Sequence, residues 1–180
     1  MFKKIAVASF ILGAAVGPAW AQTPYAGLQT RPLKALSEQQ IADLEAGRGM
    51  GYALAAELNG YPGPAHVLEL ADGLALSATQ RAAVQRLFDD MKAEAVPLGK
   101  RLIAEETALD RAFAERRVTA AGLREATAAI GVTQAALREA HLRYHLATLD
   151  LLTPAQARRY AGLRGYGSAP NGHHGHSGAH

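Results

Sequence analysis

The sequence predicts an all-α protein, a long kinked helical hairpin with short accessory helices. Three observations predict it. First, Leu, then Ser or Thr, two free positions and Gln recur at Leu36-Ser37-Glu38-Gln39-Gln40, Leu76-Ser77-Ala78-Thr79-Gln80 and Leu152-Thr153-Pro154-Ala155-Gln156. In each, the hydroxyl is placed to cap the backbone N–H three residues on, and the Gln to reach back to the cap's own N–H. Each therefore marks a helix start. Second, two long stretches repeat apolar residues at heptad-like steps. Third, aromatic residues are only 6% of the chain, and no segment alternates apolar and polar residues as a half-buried strand would.

Lys3 and Lys4, the apolar run Ile5 to Val16 and Ala19-Trp20-Ala21 make residues 1–21 a signal peptide by pattern. Cleavage is expected after Ala21, which makes the mature chain an exported protein. The run is short for a bilayer and no later segment is apolar enough, so no stable membrane span is expected after cleavage. Removal takes two of 19 Lys and Arg and none of 16 Asp and Glu, leaving a net charge of +1 in place of +3. A nucleic-acid partner loses its electrostatic basis. The absence of cysteine excludes disulfides and thiolate chemistry.

Residues 22–60 read as an N-terminal extension with short helices. The first runs from Glu38 to Ala46, with Leu36 placed to pack on Ile41, and stops at the glycines of Gly47-Arg48-Gly49-Met50-Gly51. The second runs from Tyr52 to Leu58 and ends at Asn59-Gly60. Residues 61–166 form the main helical domain. It opens with the turn Tyr61-Pro62-Gly63-Pro64 and one or two helical turns from His66 to Asp72.

The first long helix is expected from Ala78 to about Arg116. Val84, Met91 and Leu98 form one line, Phe88, Ala95, Leu102 and Leu109 the adjacent one. Glu105 prolongs the first line, as a solvated end of the seam or as a polar contact. Pro97 should kink this helix or divide it. Thr119 caps the second long helix, Ala120 to Asp150. Its stripe reads Leu123, Ile130, Leu137 and Tyr144, flanked by Thr127, Gln134, His141 and Thr148 and widened by Leu142, Leu146 and Leu149. Pro154, at a first helical position, opens a last helix to Leu163. Such a hairpin is too thin to bury both faces of every helix, so leftover apolar surface predicts a homodimer or a surface for clients.

His141 and His145 are four apart, hence on one helix face. Two imidazoles at that spacing either ligate one metal or serve as hydrogen-bonded core residues. A third ligand would come from His66, which follows the Pro-Gly-Pro turn, or from Glu69. Residues 167–180 carry His173, His174, His176 and His180 among Gly, Ser and Asn. That composition reads as a disordered tail and a loose site for Zn, Cu or Ni. No Gly-rich phosphate loop or Gly-x-Ser-x-Gly elbow is present, and Ser77 and Thr153 are explained as caps. No catalytic residue is assigned and no enzyme is expected.

On such a chain, Leu76-Ser77-Ala78-Thr79-Gln80 and Leu152-Thr153-Pro154-Ala155-Gln156 resemble the LTxxQ motifs of the Spy/CpxP family. The resemblance covers roughly Gly60 to Tyr166. It implies a curved antiparallel dimer whose concave face holds unfolded clients without ATP, in a family that also includes envelope-stress modulators and heavy-metal sensors. It makes Leu76, Ser77, Gln80, Leu152, Thr153 and Gln156 structural caps that shape the cradle. Metal-responsive members use His and Glu from different helices, a part that His66, Glu69, His141 and His145 could play here. Ser77 stands where Thr is usual, residues 24–64 are longer than in the chaperone prototypes, and the His-rich tail points to the metal-linked branch. The expected function is a periplasmic ATP-independent chaperone-like or envelope-stress protein linked to a divalent heavy metal. The alternative is a metal-sensing module that docks on a membrane-bound signalling partner without chaperone activity.

Overall fold

The computed structural model describes residues 25–166. The signal segment at 1–21 and the His-rich tail at 167–180 lie outside them. The described residues form one 3-10 turn and six α-helices, with no strand. The helices are α1 (Glu38–Glu45), α2 (Leu54–Glu57), α3 (Pro64–Glu69), α4 (Ala78–Ala114), α5 (Ala120–Asp150) and α6 (Pro154–Leu163). Among them, none is long and apolar enough to cross a membrane.

All three Ser/Thr boxes form as reciprocal caps, opening α1, α4 and α6. The Ser77 hydroxyl accepts from Gln80 N at 3.1 Å, and Gln80 Oε1 accepts from Ser77 N at 3.1 Å. Thr119 caps α5 by accepting from Gly122 N at 3.1 Å. At the other ends, Gly47 and Gly165 take left-handed φ, which lets the next N–H return to the carbonyl five residues back. Arg48 N thus reaches Asp43 O, and Tyr166 N reaches Ala161 O, both at 2.8 Å. Ala75 and Arg116 hold the same left-handed turn without glycine, at φ 49 and 54.

The turn through Glu115 to Thr119 returns the chain, so α4 and α5 pack antiparallel. Tyr144 donates to Glu94 at 2.7 Å and Arg143 bonds the same carboxylate, fixing their register. One apolar core gathers Ala95, Leu102, Ile130 and Leu137 around Leu44 of α1. The other gathers Val67, Leu74, Val84, Leu152 and Tyr160 at the box end. At Gly99 the backbones of α1 and α4 nearly touch: an added Cβ would stand 2.3 Å from the Leu44 carbonyl oxygen.

Two expectations are corrected, the extent of α2 and of the buried stripe on α5, and two alternatives are decided, at Pro97 and Glu105. Pro97 does not divide α4, which runs through it as one helix. The proline ring is exposed, and buried Ala95 and Gly99 hold the axis on either side. Only one intrahelical N–H is missing there. α2 is limited to Leu54–Glu57, because Gly51 and Met50 turn with positive φ just before it. The stripe of α5 is buried only from Ile130 onward, leaving Leu123 and Thr127 exposed, because α1 and the other accessory segments meet α5 beyond its first ten residues; the flanking Gln134 is exposed as well. Leu146 is exposed too and does not widen it. Glu105 is a polar contact: half-buried, it takes Arg101 at 2.8 Å and lies against Thr133 of α5.

Candidate functional site

Two polar constellations bring distant segments together. The first joins the two boxes. Gln80 Nε2 donates to Gln156 Oε1 at 2.9 Å and Gln156 Nε2 donates to Gln80 Oε1 at 3.1 Å. Each amide also reaches the backbone on the other side, Gln80 to Leu151 O at 2.9 Å and Gln156 to Leu74 O at 3.3 Å. Leu76 and Leu152 pack into the core beneath. Each Gln therefore caps its own helix and clasps the other's.

The second centres on Glu57, the last residue of α2 and only 5% exposed. Its Oε1 accepts from the hydroxyls of Tyr160 and Tyr166, the latter at 3.1 Å, and lies 3.5 Å from Arg164 Nε. Its Oε2 accepts from Gly63 N at 3.3 Å. Two histidines face the same carboxylate, His66 Nδ1 at 3.3 Å and His145 Nδ1 at 3.7 Å. Burial alone would raise the carboxyl pKa, but the hydroxyl donors and the facing imidazoles hold it below the ordinary range. Burial and the bond to Glu57 push the Tyr160 hydroxyl far upward.

The histidine tautomers follow from their partners. His145 Nδ1 lies 2.7 Å from the Tyr61 carbonyl, which can only accept, so Nδ1 carries the proton. Gly63 closes on the ring, where an added Cβ would stand 2.7 Å from Cε1. His66 Nε2 faces the Arg164 guanidinium at 3.5 Å, leaving Nδ1 to point its proton at Glu57.

His141 is a core residue. It is 3% exposed, stacks on Tyr52 with 6.0 Å between ring centroids, and has Gly49 against its Nδ1 edge. Its Nε2 is buried without a partner. Burial, aided by nearby His145, lowers its pKa. Glu69 is exposed at the end of α3 and shares with His66 a cleft of about 350 Å³ lined also by Phe88, Met91 and Lys92. The fold thus brings His66 and His145 to one carboxylate and leaves Glu69 and His141 apart from it. Among the described residues, no group of three or more His, Asp or Glu is arranged to hold a metal ion. His173, His174, His176 and His180 lie outside those residues.

Glu57, Tyr160, Arg164 and Tyr166 escape sequence reasoning. Glu57 sits in an unremarkable Leu-Ala-Ala-Glu turn, and its partners lie about a hundred residues away. The one local sign is the turn Tyr61-Pro62-Gly63-Pro64, which aims a backbone N–H and a carbonyl into the cluster.

No protein-family model matches the chain, and neither the curated proteins nor the solved structures contain a match.

Proposed function

We propose that this chain is a periplasmic protein of the Spy/CpxP type that holds unfolded clients without ATP, as an antiparallel dimer, in a response linked to a divalent heavy metal. The observation that carries the reading is the clasp between Gln80 and Gln156. It makes the two Leu-Ser/Thr-x-x-Gln boxes one joint of a long helical pair rather than two separate caps. Fold alone does not assign a function, and the client-holding part rests on the motif resemblance. Apolar side chains left in solvent along the pair, Phe113, Leu123, Val132 and Leu146, are the kind of surface that clients or a second copy would cover.

The test is aggregation of reduced α-lactalbumin with the mature chain added at near-stoichiometric amounts. Suppressed light scattering is expected; unchanged scattering ends the chaperone reading. Light scattering of the chain alone checks the dimer.

A second reading, a metal-sensing module that docks on a membrane-bound signalling partner, is favoured by the convergence of His66 and His145 on Glu57. One carboxylate and two imidazoles are donors that Zn, Cu or Ni accepts. As placed the three do not form a metal-binding group: both Nδ1 atoms carry protons, so His145 would first have to give up the Tyr61 carbonyl and both rings would have to change tautomer. Titration with each metal separates the possibilities. Binding that survives removal of residues 167–180 but is lost in His145→Ala supports a folded site; binding lost with the tail places the metal on the tail histidines.

A further inference from the structure

The turn that joins α4 to α5 is rich in uncompensated positive charge. Arg111, Arg116, Arg117 and Arg124 lie between the last turn of α4 and the first turn of α5, all exposed. Against them stand two carboxylates, Glu115 and Glu125, and Glu115 is taken by Arg117. Among the described residues Arg111, Arg116 and Arg124 have no ion-pair partner. Residues 111–125 thus hold a surplus of two positive charges, whereas the whole chain without residues 1–21 carries only +1. At the box end, by contrast, Arg81, Arg159 and Arg164 are engaged, by Asp72, the Gly73 carbonyl and Glu57.

Apolar side chains stand among these arginines. Phe113, in the last turn of α4, is 53% exposed, and Leu123, in the first turn of α5, is 37% exposed. Val132, also exposed, belongs instead to the stretch of α5 from Ala126 to Leu137, which carries no charge. The backbone adds an independent observation. Arg116 holds a left-handed φ of 54, a conformation that glycine adopts freely and that a side chain makes costly. The turn gains nothing from an arginine there, and such an outlier marks a position where the side chain has a use.

We propose that this tip docks on an anionic lipid surface, its arginines on headgroup phosphates and Phe113 and Leu123 in the acyl boundary beneath. A guanidinium meets phosphate with paired N–H donors, and its aliphatic stem lies along apolar surroundings while the charge stays at the interface. Exposed aromatic and aliphatic side chains flanked by cations are the composition that settles into an anionic interface. An acidic protein would match the charges, but an anionic bilayer presents phosphate and an apolar layer together, and so matches both features. Such docking is peripheral and needs no membrane-crossing helix; none exists among the described residues. The inference goes beyond the client-holding reading and does not rest on it.

The test uses the mature chain, freed of the apolar residues 1–21. The one tryptophan of the sequence, Trp20, leaves with them, so an introduced tryptophan reports alone. Phe113→Trp is titrated with vesicles of equal parts phosphatidylglycerol and phosphatidylcholine, and with vesicles of phosphatidylcholine alone. A saturable blue shift of the emission is expected on the anionic vesicles, with binding roughly tenfold weaker on phosphatidylcholine or in high salt. Leu146→Trp, at a position 55% exposed but nearer the box end, should show no shift. Adding Arg116→Gly to Phe113→Trp should weaken binding about threefold without lowering the urea midpoint, so that lost binding is not lost folding. No shift for Phe113→Trp, an equal shift for Leu146→Trp, equal binding to both vesicles, or binding unchanged by Arg116→Gly overturns the proposal. A shift with polyglutamate and none with vesicles also overturns it, and gives the tip to an acidic protein.

Discussion

Gln80 and Gln156 are mirror partners: each caps its own helix through Oε1 and bonds the other's amide, at 2.9 and 3.1 Å, across 76 residues of sequence. The carboxamide can do both because it carries an acceptor oxygen and a donor nitrogen on separate atoms. Replacing either by Ala is expected to cost about 2 kcal/mol, because the surviving amide is left short of partners. The double variant should cost clearly less than the sum of the singles. A urea double-mutant cycle measures the coupling. Gln40→Ala, whose side chain only closes the α1 cap, should cost roughly 0.5 kcal/mol.

Glu57→Gln should be the most damaging single change among the polar residues, at about 3 kcal/mol, because it leaves Arg164 and the hydroxyl pair facing a neutral amide in a buried site. The wild-type carboxyl has a lowered pKa, so its stabilisation is complete above the ordinary value of 4.5 and is lost as pH falls through the folded-state value. Thermal melts from about pH 6 to about pH 3 should show a steeper decline for the wild type than for Glu57→Gln.

His141 acts on stability at a higher pH. Its folded pKa lies below the ordinary 6.5, so below that value the unfolded chain takes up the proton first and stability falls with falling pH. The slope from this group cannot exceed about 1.4 kcal/mol per pH unit. His141→Phe keeps the stack on Tyr52 and removes the proton site. Chemical unfolding at a series of pH values should show that this variant loses the part of the slope just below 6.5.

Ala75 and Arg116 pay for a left-handed turn that glycine adopts freely. Ala75→Gly and Arg116→Gly are each expected to raise stability by about 1 kcal/mol, seen as a higher urea midpoint with an unchanged slope.

The helical architecture was legible because its signals are local. Ser77, Thr119 and Thr153 mark their helices by chemistry within four residues, and the long helices start where those caps place them. Gly47 and Gly165 stop α1 and α6 by the same local logic. The stripe of α5 misled at Leu123 and Thr127, because periodicity tells which face is apolar but not how far along it a third element will lie. The site was only half legible. His66 and His145 could be singled out by residue type, but Glu57, on which they converge, is chosen by the tertiary fold. Nothing near Glu57 in the chain distinguishes it from Glu69, which ends in solvent.

The two ends of the α4–α5 pair are not held alike. At the box end the glutamine clasp and a full apolar core grip both helices, whereas near Arg117 an exposed Phe113 and Leu123 flank a bare turn. Mechanically this is a closed hairpin, shut covalently by the turn at one end and by the glutamine clasp at the other. Thermal motion should be smallest at Gln80 and grow toward the turn, where the two helix ends move together as one tip. A surface carried near that tip can then swing as a unit to suit what it touches without any helix unfolding.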